Sequence, residues 1–209
     1  MNPFYRISRL FKVYRFGRKS MGGLIDLPEA KSVDQCLKGL TAKASGLQGT
    51  STLDLGCGLI PQNPFRAEQI YGIDIRDNHS KNIKSADLTV DPIPFEDNSF
   101  DFITAFDIIE HIPKVIYAPN HRFPFVELMN EVWRTLKPNG YFLSHTPVYP
   151  YSAIFGDPTH VSVVTHETFT GYFDDVRRNA EMYGFKGSFK VVSQHLIIPH
   201  LVSVLQKRV

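Results

Sequence analysis

Between Ser51 and His145, short apolar runs alternate with polar, turn-rich stretches. Ser51–Leu55 is one run, ending at Gly56; Ile70–Ile75 is a second, and a weaker third lies near Lys84–Leu88. Phe100–Phe106 and Tyr141–His145 follow, rich in β-forming residues. Phe125, Leu128, Met129, Val132 and Leu136 recur instead at helical spacing, with Pro124 near the start and Lys137-Pro138-Asn139-Gly140 as the stop. Alternation of strands and helices predicts right-handed crossovers and a parallel sheet. Phe189–Leu196 and His200–Leu205 then follow in direct succession. Their link at Pro199 is too short for a crossover, so this pair must be antiparallel. The predicted fold class is α/β: a doubly wound, mostly parallel sheet with a C-terminal antiparallel strand pair.

The pattern also divides the chain. Residues 1–48 read as N-terminal cap helices, with Phe4, Ile7, Phe11 and Tyr14 at helical spacing and a second helix from Pro28 to about Ala44. Residues 49–209 read as the main domain. Within it, Pro147–Thr165 is a long irregular loop, and loops of that length usually carry function. A helix is expected after it, with Phe169, Tyr172, Phe173, Val176, Ala180 and Tyr183 on its apolar face.

Composition adds bounds. The 209 residues are 43% hydrophobic and 21% charged, ordinary for one soluble domain. A net charge of +2 gives no whole-molecule field for nucleic acid. That charge is uneven: Arg6, Arg9, Lys12, Arg15, Arg18 and Lys19 precede the first acid, Asp26. Such a segment either caps the domain with its bases in solvent or makes a peripheral contact with an anionic membrane surface. No apolar run reaches the roughly 20 residues of a membrane span, and the basic start lacks the apolar stretch of a secretory signal. Cys36 and Cys57 stand in unrelated contexts and read as free thiols, which favours a cytoplasmic location.

The chemistry concentrates at strand ends. Leu53-Asp54-Leu55-Gly56-Cys57-Gly58 is a strand entering a glycine turn, where backbone can approach a ligand that a Cβ would exclude. Pro61 stands where a dinucleotide fingerprint needs a third glycine, so a ligand without a phosphate at this turn fits better. Asp74 closes the second strand, 18 residues after Gly56, near the spacing at which an acid reaches ribose hydroxyls. Asp87 closes the third, where a carboxylate can accept from an adenine amino group while the Leu88 amide donates to the ring. Each acid could instead cap the element that follows it.

These segments resemble the class I S-adenosylmethionine-dependent methyltransferases, closest to the small-molecule group typified by the ubiquinone and menaquinone methylases. The resemblance spans about Ser51 to Leu143. It also rests on Pro94-Phe95-Glu96-Asp97-Asn98-Ser99-Phe100-Asp101, Asp107-Ile108-Ile109-Glu110-His111-Ile112 and Trp133-Arg134-Thr135-Leu136-Lys137-Pro138-Asn139-Gly140. It implies a seven-stranded Rossmann-like methyltransferase sheet with S-adenosyl-L-methionine as cofactor. By the same resemblance, Asp54, Gly56 and Gly58 would line the methionine portion, Asp74 the ribose, Ile75 the adenine face, and Asp87 with Leu88 the adenine edge. Phe106 and Asp107 would flank the cofactor, with His111 close by. The Leu59–Phe65 segment departs from the family, which usually has another glycine and a longer helix there.

A sulfonium is already an activated methyl donor, so alignment and exclusion of water are the protein's main tasks. A hydroxyl acceptor also benefits from a general base. His160 is the first candidate for base or acceptor-binding residue, followed by His145 and His111. Asp157, His160 and His166 are ligand types that suit divalent ions, but their irregular spacing argues against a centre and no metal is assigned. The expected reaction is methyl transfer to oxygen or nitrogen of a small-molecule acceptor, such as a sugar or a lipid-linked intermediate. A non-catalytic S-adenosylmethionine-binding regulator is the alternative. A nicotinamide or nucleotide-sugar oxidoreductase is disfavoured by Pro61 and by the lack of a Tyr-x-x-x-Lys pair. Nucleic acid is not expected as a partner, since no Asn-Pro-Pro-Tyr type tetrapeptide is present.

Overall fold

The computed structural model describes residues 3–76 and 82–209, with the side chains of residues 3–5, 19 and 20 also left aside. Its helices are α1 (Pro3–Met21), α2 (Val33–Cys36), α3 (Ala42–Ser45), α4 (Pro124–Thr135), α5 (Ala153–Gly156) and α6 (Glu167–Tyr172). Its strands are β1 (Ser51–Leu55), β2 (Gln69–Asp74), β3 (Ile83–Ser85), β4 (Phe100–Phe106), β5 (Leu136–Pro147), β6 (Phe189–Ile197) and β7 (His200–Lys207). They form one sheet in the order β3-β2-β1-β4-β5-β7-β6. The first five pair in parallel, while β7 runs antiparallel to both β5 and β6. This is the doubly wound sheet with a C-terminal antiparallel pair that the pattern predicts. Strand order reverses between β1 and β4, and the carboxyl ends of those strands open the crevice where such sheets bind ligands.

β1 is buried along its whole length, as expected of an inner strand covered on both faces. One layer sets α4 against β4 and β5: Phe125, Leu128, Met129 and Val132 pack with Ile103, Phe142, Phe169 and Phe189. The other layer is built by the N-terminal segment. Cys36, Leu37 and Ala42 pack on Phe65, Phe102, Leu143 and Val202. Leu24 packs with Val148, Leu196 and Leu201, and the Pro28 and Ala30 backbone bonds Leu196. Residues 21–45 therefore cover the sheet. The helix expected from Pro28 to Ala44 is instead two short helices, because Pro28–Ala30 is drawn out against β6 and Gly39 takes a positive φ of 85°. Cys36 and Cys57 are both free thiols.

Three further expectations change. The crossover from β1 to β2 contains no helix. Asn63 pins it by bonding both the amide and the carbonyl of Ala67 (2.8 Å each), and Phe65 stacks on Phe102 at 4.5 Å. Lys137–Gly140 lies inside β5 as a bulge, since the register jumps from Phe100↔Leu136 to Phe102↔Tyr141. The helix expected through Tyr183 stops at Tyr172. Asp174 turns its carboxylate onto the amides of Val176 and Val191 and ties the chain to β6, so only a short 3-10 turn forms at Asn179–Tyr183.

α1 stands apart from this core. Ile7, Leu10, Phe11 and Tyr14 share one face and are each more than half exposed. Phe4 and Lys19, expected on the same helix, lie outside the described side chains. No described helix is long and apolar enough to cross a membrane.

Candidate functional site

The cofactor side begins where β1 ends. Gly56 and Gly58 both take left-handed φ, 67° and 63°. A Cβ on Gly56 would stand 2.8–2.9 Å from the Ile108 side chain, so this turn is a cradle only glycine permits. Cys57 folds back against Gly72 of β2, which must also lack a side chain because Cys57 and Pro61 occupy that space. Asp54 lies beneath the turn, 1% exposed. Its carboxylate accepts from the Gln62 amide (2.8 Å) and the Thr104 hydroxyl (2.7 Å). Burial pushes its pKa up to about 6, against the pull of those two bonds. Asp54 thus fastens the turn to β4 and the first crossover, and it is held inside the sheet rather than at the crevice surface.

Asp74 ends β2 and accepts from the Gly58 amide at 2.8 Å. Arg76 occupies the rest of the carboxylate: its backbone N–H lies at 3.0 Å, Nε at 2.7 Å and Nη2 at 3.2 Å. The guanidinium, with burial opposing it, holds Asp74 below the usual carboxylate range. A vicinal diol reaching Asp74 would take the place of this largely exposed arginine. Ile75 is 66% exposed beside it. Asp87 is half-buried and accepts from the Thr89 amide at 2.9 Å, so in this structure it also serves as a turn cap. Leu88 points into the core.

The acceptor side is built by side chains far apart in sequence. Asp107 follows β4 with φ 50°, its amide donating to the His145 carbonyl at 2.9 Å. Its carboxylate is 3.4 Å from His145 Nδ1 and 3.2 Å from His200 Nε2. The two imidazoles stack at 4.3 Å, and Phe106 lies 5.4 Å from His145. Burial would raise the Asp107 pKa, but the adjacent His145 imidazole, with the charges of His200 and His160, holds it low. Burial and the neighbouring His145 push His200 below the ordinary histidine value, against the pull of Asp107. His200 is therefore neutral at neutral pH.

A second group, Glu110, His111 and His160, lies beside the first. Glu110 sits in the short turn after β4, and the 157–162 loop reaches it through Val161 and Ser162 amides on its backbone carbonyl. His160 stands with Nε2 3.8 Å from Glu110 Oε1 and with its ring against that of His111 at 4.8 Å. His145, His111 and His160 are thus brought to one crevice. His166 is elsewhere, packed against Gly22 and Gly23. Of the aromatics in the 147–165 loop, Tyr149 and Phe155 are exposed, whereas Tyr151 packs in the Leu24 cluster.

Three participants were not singled out from sequence. Glu110 carries a signal: a charge among Ile108, Ile109 and Ile112, at positions the core claims. His200 carries none until the β5–β7 register sets it opposite Pro147. Arg76 is visible only through its return to Asp74. A separate apolar cavity of about 400 Å³ is lined by Lys114, Phe123, Phe125, Val163, Tyr172 and Tyr183 and shares no lining residue with the crevice; Lys114 Nζ bonds the Val163 carbonyl, at the end of the loop that carries His160.

Comparison with known proteins agrees with this geometry. Residues 53–144 match the family model described as a methyltransferase domain. The demethylmenaquinone methyltransferases of Listeria monocytogenes and Listeria innocua are 29% identical over 111 residues, 44% of this chain. That match spans 43% of each relative's length. A S-adenosylmethionine-dependent methyltransferase from Aquifex aeolicus superposes with a TM-score of 0.53 over 97% of this chain and 98% of its own, at 18% identity. The cyclase SpnF does so with 0.55 over 84% and 81%, at 17% identity, so the same fold also hosts another reaction. The motif order, the strand order and the family match agree: residues 53–144 are similar to a methyltransferase domain, on a sheet with the strand order of the class I S-adenosylmethionine-dependent fold.

Proposed function

We propose that this protein transfers a methyl group from S-adenosyl-L-methionine to oxygen or nitrogen of a small-molecule acceptor with an apolar body. The observation that carries this is the Gly56–Gly58 cradle with Asp74 at the carboxyl ends of β1 and β2, and Asp107, His145 and His200 gathered at the carboxyl ends of β4 and β5 beyond the strand-order reversal. The residues fit the cofactor: a backbone turn that a Cβ would fill, and an acidic strand end that can receive a diol once Arg76 swings away. Gly56 and Gly58 would hold the methionine portion, Asp74 the ribose, Ile75 the adenine face, and Asp87 with Leu88 the adenine edge. The bound cofactor supplies an activated methyl on sulfur.

The chain's own work is then alignment and proton removal. Asp107 orients the stacked imidazoles, and His200, the more exposed of the two, takes the acceptor proton. The imidazolium so formed is held beside the Asp107 carboxylate. His160, turned toward Glu110 and the Ile154 carbonyl, is less free to reach an acceptor.

The 400 Å³ cavity and helix α1 favour a lipid-linked acceptor over a free sugar. The cavity offers aromatic and aliphatic walls to an apolar group. α1 presents Ile7, Leu10, Phe11 and Tyr14 with Arg9, Lys12 and Arg15 around them, the composition of a helix that lies on an anionic membrane surface. Radiolabelled cofactor incubated with total small-molecule extract tests the reaction. Label in the organic phase supports the lipid-linked reading, and label confined to the aqueous phase redirects it to a free sugar. Tight cofactor binding with no labelled product would favour the non-catalytic binder. Vesicles rich in anionic lipid are expected to pull down the full chain, and replacing Phe11 and Tyr14 together with Ser should release it. Equal retention of that variant would end the membrane assignment.

A further inference from the structure

The Glu110–His111–His160 group has no part in the proton transfer above, and its hydrogen bonding is incomplete in a specific way. The Glu110 side chain is 1% exposed. One oxygen accepts from the Thr146 hydroxyl at 2.6 Å. The other, Oε1, is buried with no hydrogen-bond partner among the described residues. A buried carboxylate oxygen left in that state is costly unless a cation or proton meets it.

The two imidazoles cannot supply a well-placed proton in their neutral form. His160 Nδ1 lies 3.1 Å from the Ile154 carbonyl, which only accepts, so Nδ1 carries the hydrogen. Its Nε2 then offers a lone pair to Glu110 Oε1, and two acceptors face each other across 3.8 Å. His111 Nδ1 lies 3.2 Å from the Thr159 carbonyl and 3.1 Å from the Thr159 hydroxyl. That hydroxyl already donates to Asp157 at 2.6 Å, so His111 Nδ1 is a donor as well and its Nε2 is the free lone pair. Each ring is thus fixed through one nitrogen on protein acceptors and offers the other, the arrangement that metal-ligating histidines adopt.

We propose that Glu110, His111 and His160 bind one divalent transition-metal ion of the zinc type at the acceptor side of the crevice. One ligand atom from each residue lies within 4.8 Å of the others. Bonds of about 2.0–2.1 Å require the three to draw together by roughly an ångström, within reach of small side-chain rotations. Two imidazoles and one carboxylate suit zinc and its neighbours and leave a fourth position open for water or an oxygen of the acceptor. Asp157 enters only through Thr159, as the group that orients His111. The site is distinct from Asp107, His145 and His200, whose three side chains also lie close enough to hold an ion.

The test is metal uptake by the full chain, independent of activity. Protein stripped with a chelator is titrated with cobalt(II) alone and its visible absorption recorded. One equivalent with d–d bands that zinc removes is the expected result. His160→Asn and Glu110→Gln should each weaken uptake by about tenfold or more, while His200→Asn leaves it unchanged. His160 lies in a surface loop, and a circular dichroism melt confirms that each variant is folded. Absence of bands would mean that a shared proton, not a metal, joins Glu110 to His160. Bands surviving both substitutions, or lost in His200→Asn alone, would equally overturn the assignment.

Discussion

The two sides of the crevice are constructed differently. The cofactor side is made of backbone: two glycines at left-handed φ, a strand-end acid that receives the Gly58 amide, and a buried acid that locks the turn. The acceptor side is made of side chains gathered from β4, β5, β7 and the 157–162 loop. A backbone cradle is specified by a few adjacent residues. A side-chain cluster is specified by register and loop closure between residues as far apart in sequence as Asp107 and His200. The first is encoded locally, whereas the second depends on the whole sheet having closed.

The sharpest way to separate the two sides is to disable one alone. His200→Asn should lower turnover by about 10²–10⁴-fold, the usual contribution of a general base, with S-adenosylhomocysteine affinity unchanged by calorimetry. Its pH profile follows from the lowered pKa of His200: in wild type the rate falls with acid only below the ordinary histidine range, and the variant loses that limb. Full turnover in the variant would remove His200 from the chemistry.

A second test concerns the buried acid. Folding raises the Asp54 pKa from 3.8 to about 6, so the folded state binds the extra proton and gains stability from it below pH 4. That contribution is lost as pH rises through 6, at about 3 kcal/mol by the value of a pKa unit. Urea unfolding from pH 4 to 7 should show this decline, and Asp54→Asn should flatten it. An identical slope in both proteins would mean that Asp54 is charged and well solvated, contrary to its packing.

Smaller effects probe the ribose end. Asp74→Ala should weaken S-adenosylhomocysteine binding by about 1.5–3 kcal/mol, the scale of hydrogen bonds to a charged group. Arg76→Ala should tighten it a few-fold, because the guanidinium holds the carboxylate that the diol requires. Weaker binding in Arg76→Ala would show instead that the arginine contacts the cofactor.

Legibility in the sequence follows the same division. β1 and β4 appear with the expected bounds because inner parallel strands are continuous apolar runs. The glycine turn and Asp74 are local and were readable. The helix expected from Pro28 broke because Pro28 and Ala30 find backbone partners on Leu196, a contact no local pattern encodes. The helix beyond Tyr172 failed for the same reason at Asp174. Glu110 was readable as a charge in an isoleucine frame. His200 was not, since its neighbours depend on which residue of β5 it faces.

The place of β7 has a consequence for how the chain is made. It follows β6 in sequence yet lies inside the sheet, between β5 and β6. As the polypeptide leaves the ribosome, β6 emerges before the strand it must pair with, and β5 presents an open edge meanwhile. Until the segment through Lys207 has been synthesised and inserted, that edge is a template for other chains. A translation product arrested ahead of residue 200 would lack both a closed sheet and the His200 imidazole that stacks on His145, and is expected to aggregate rather than persist as a soluble fragment.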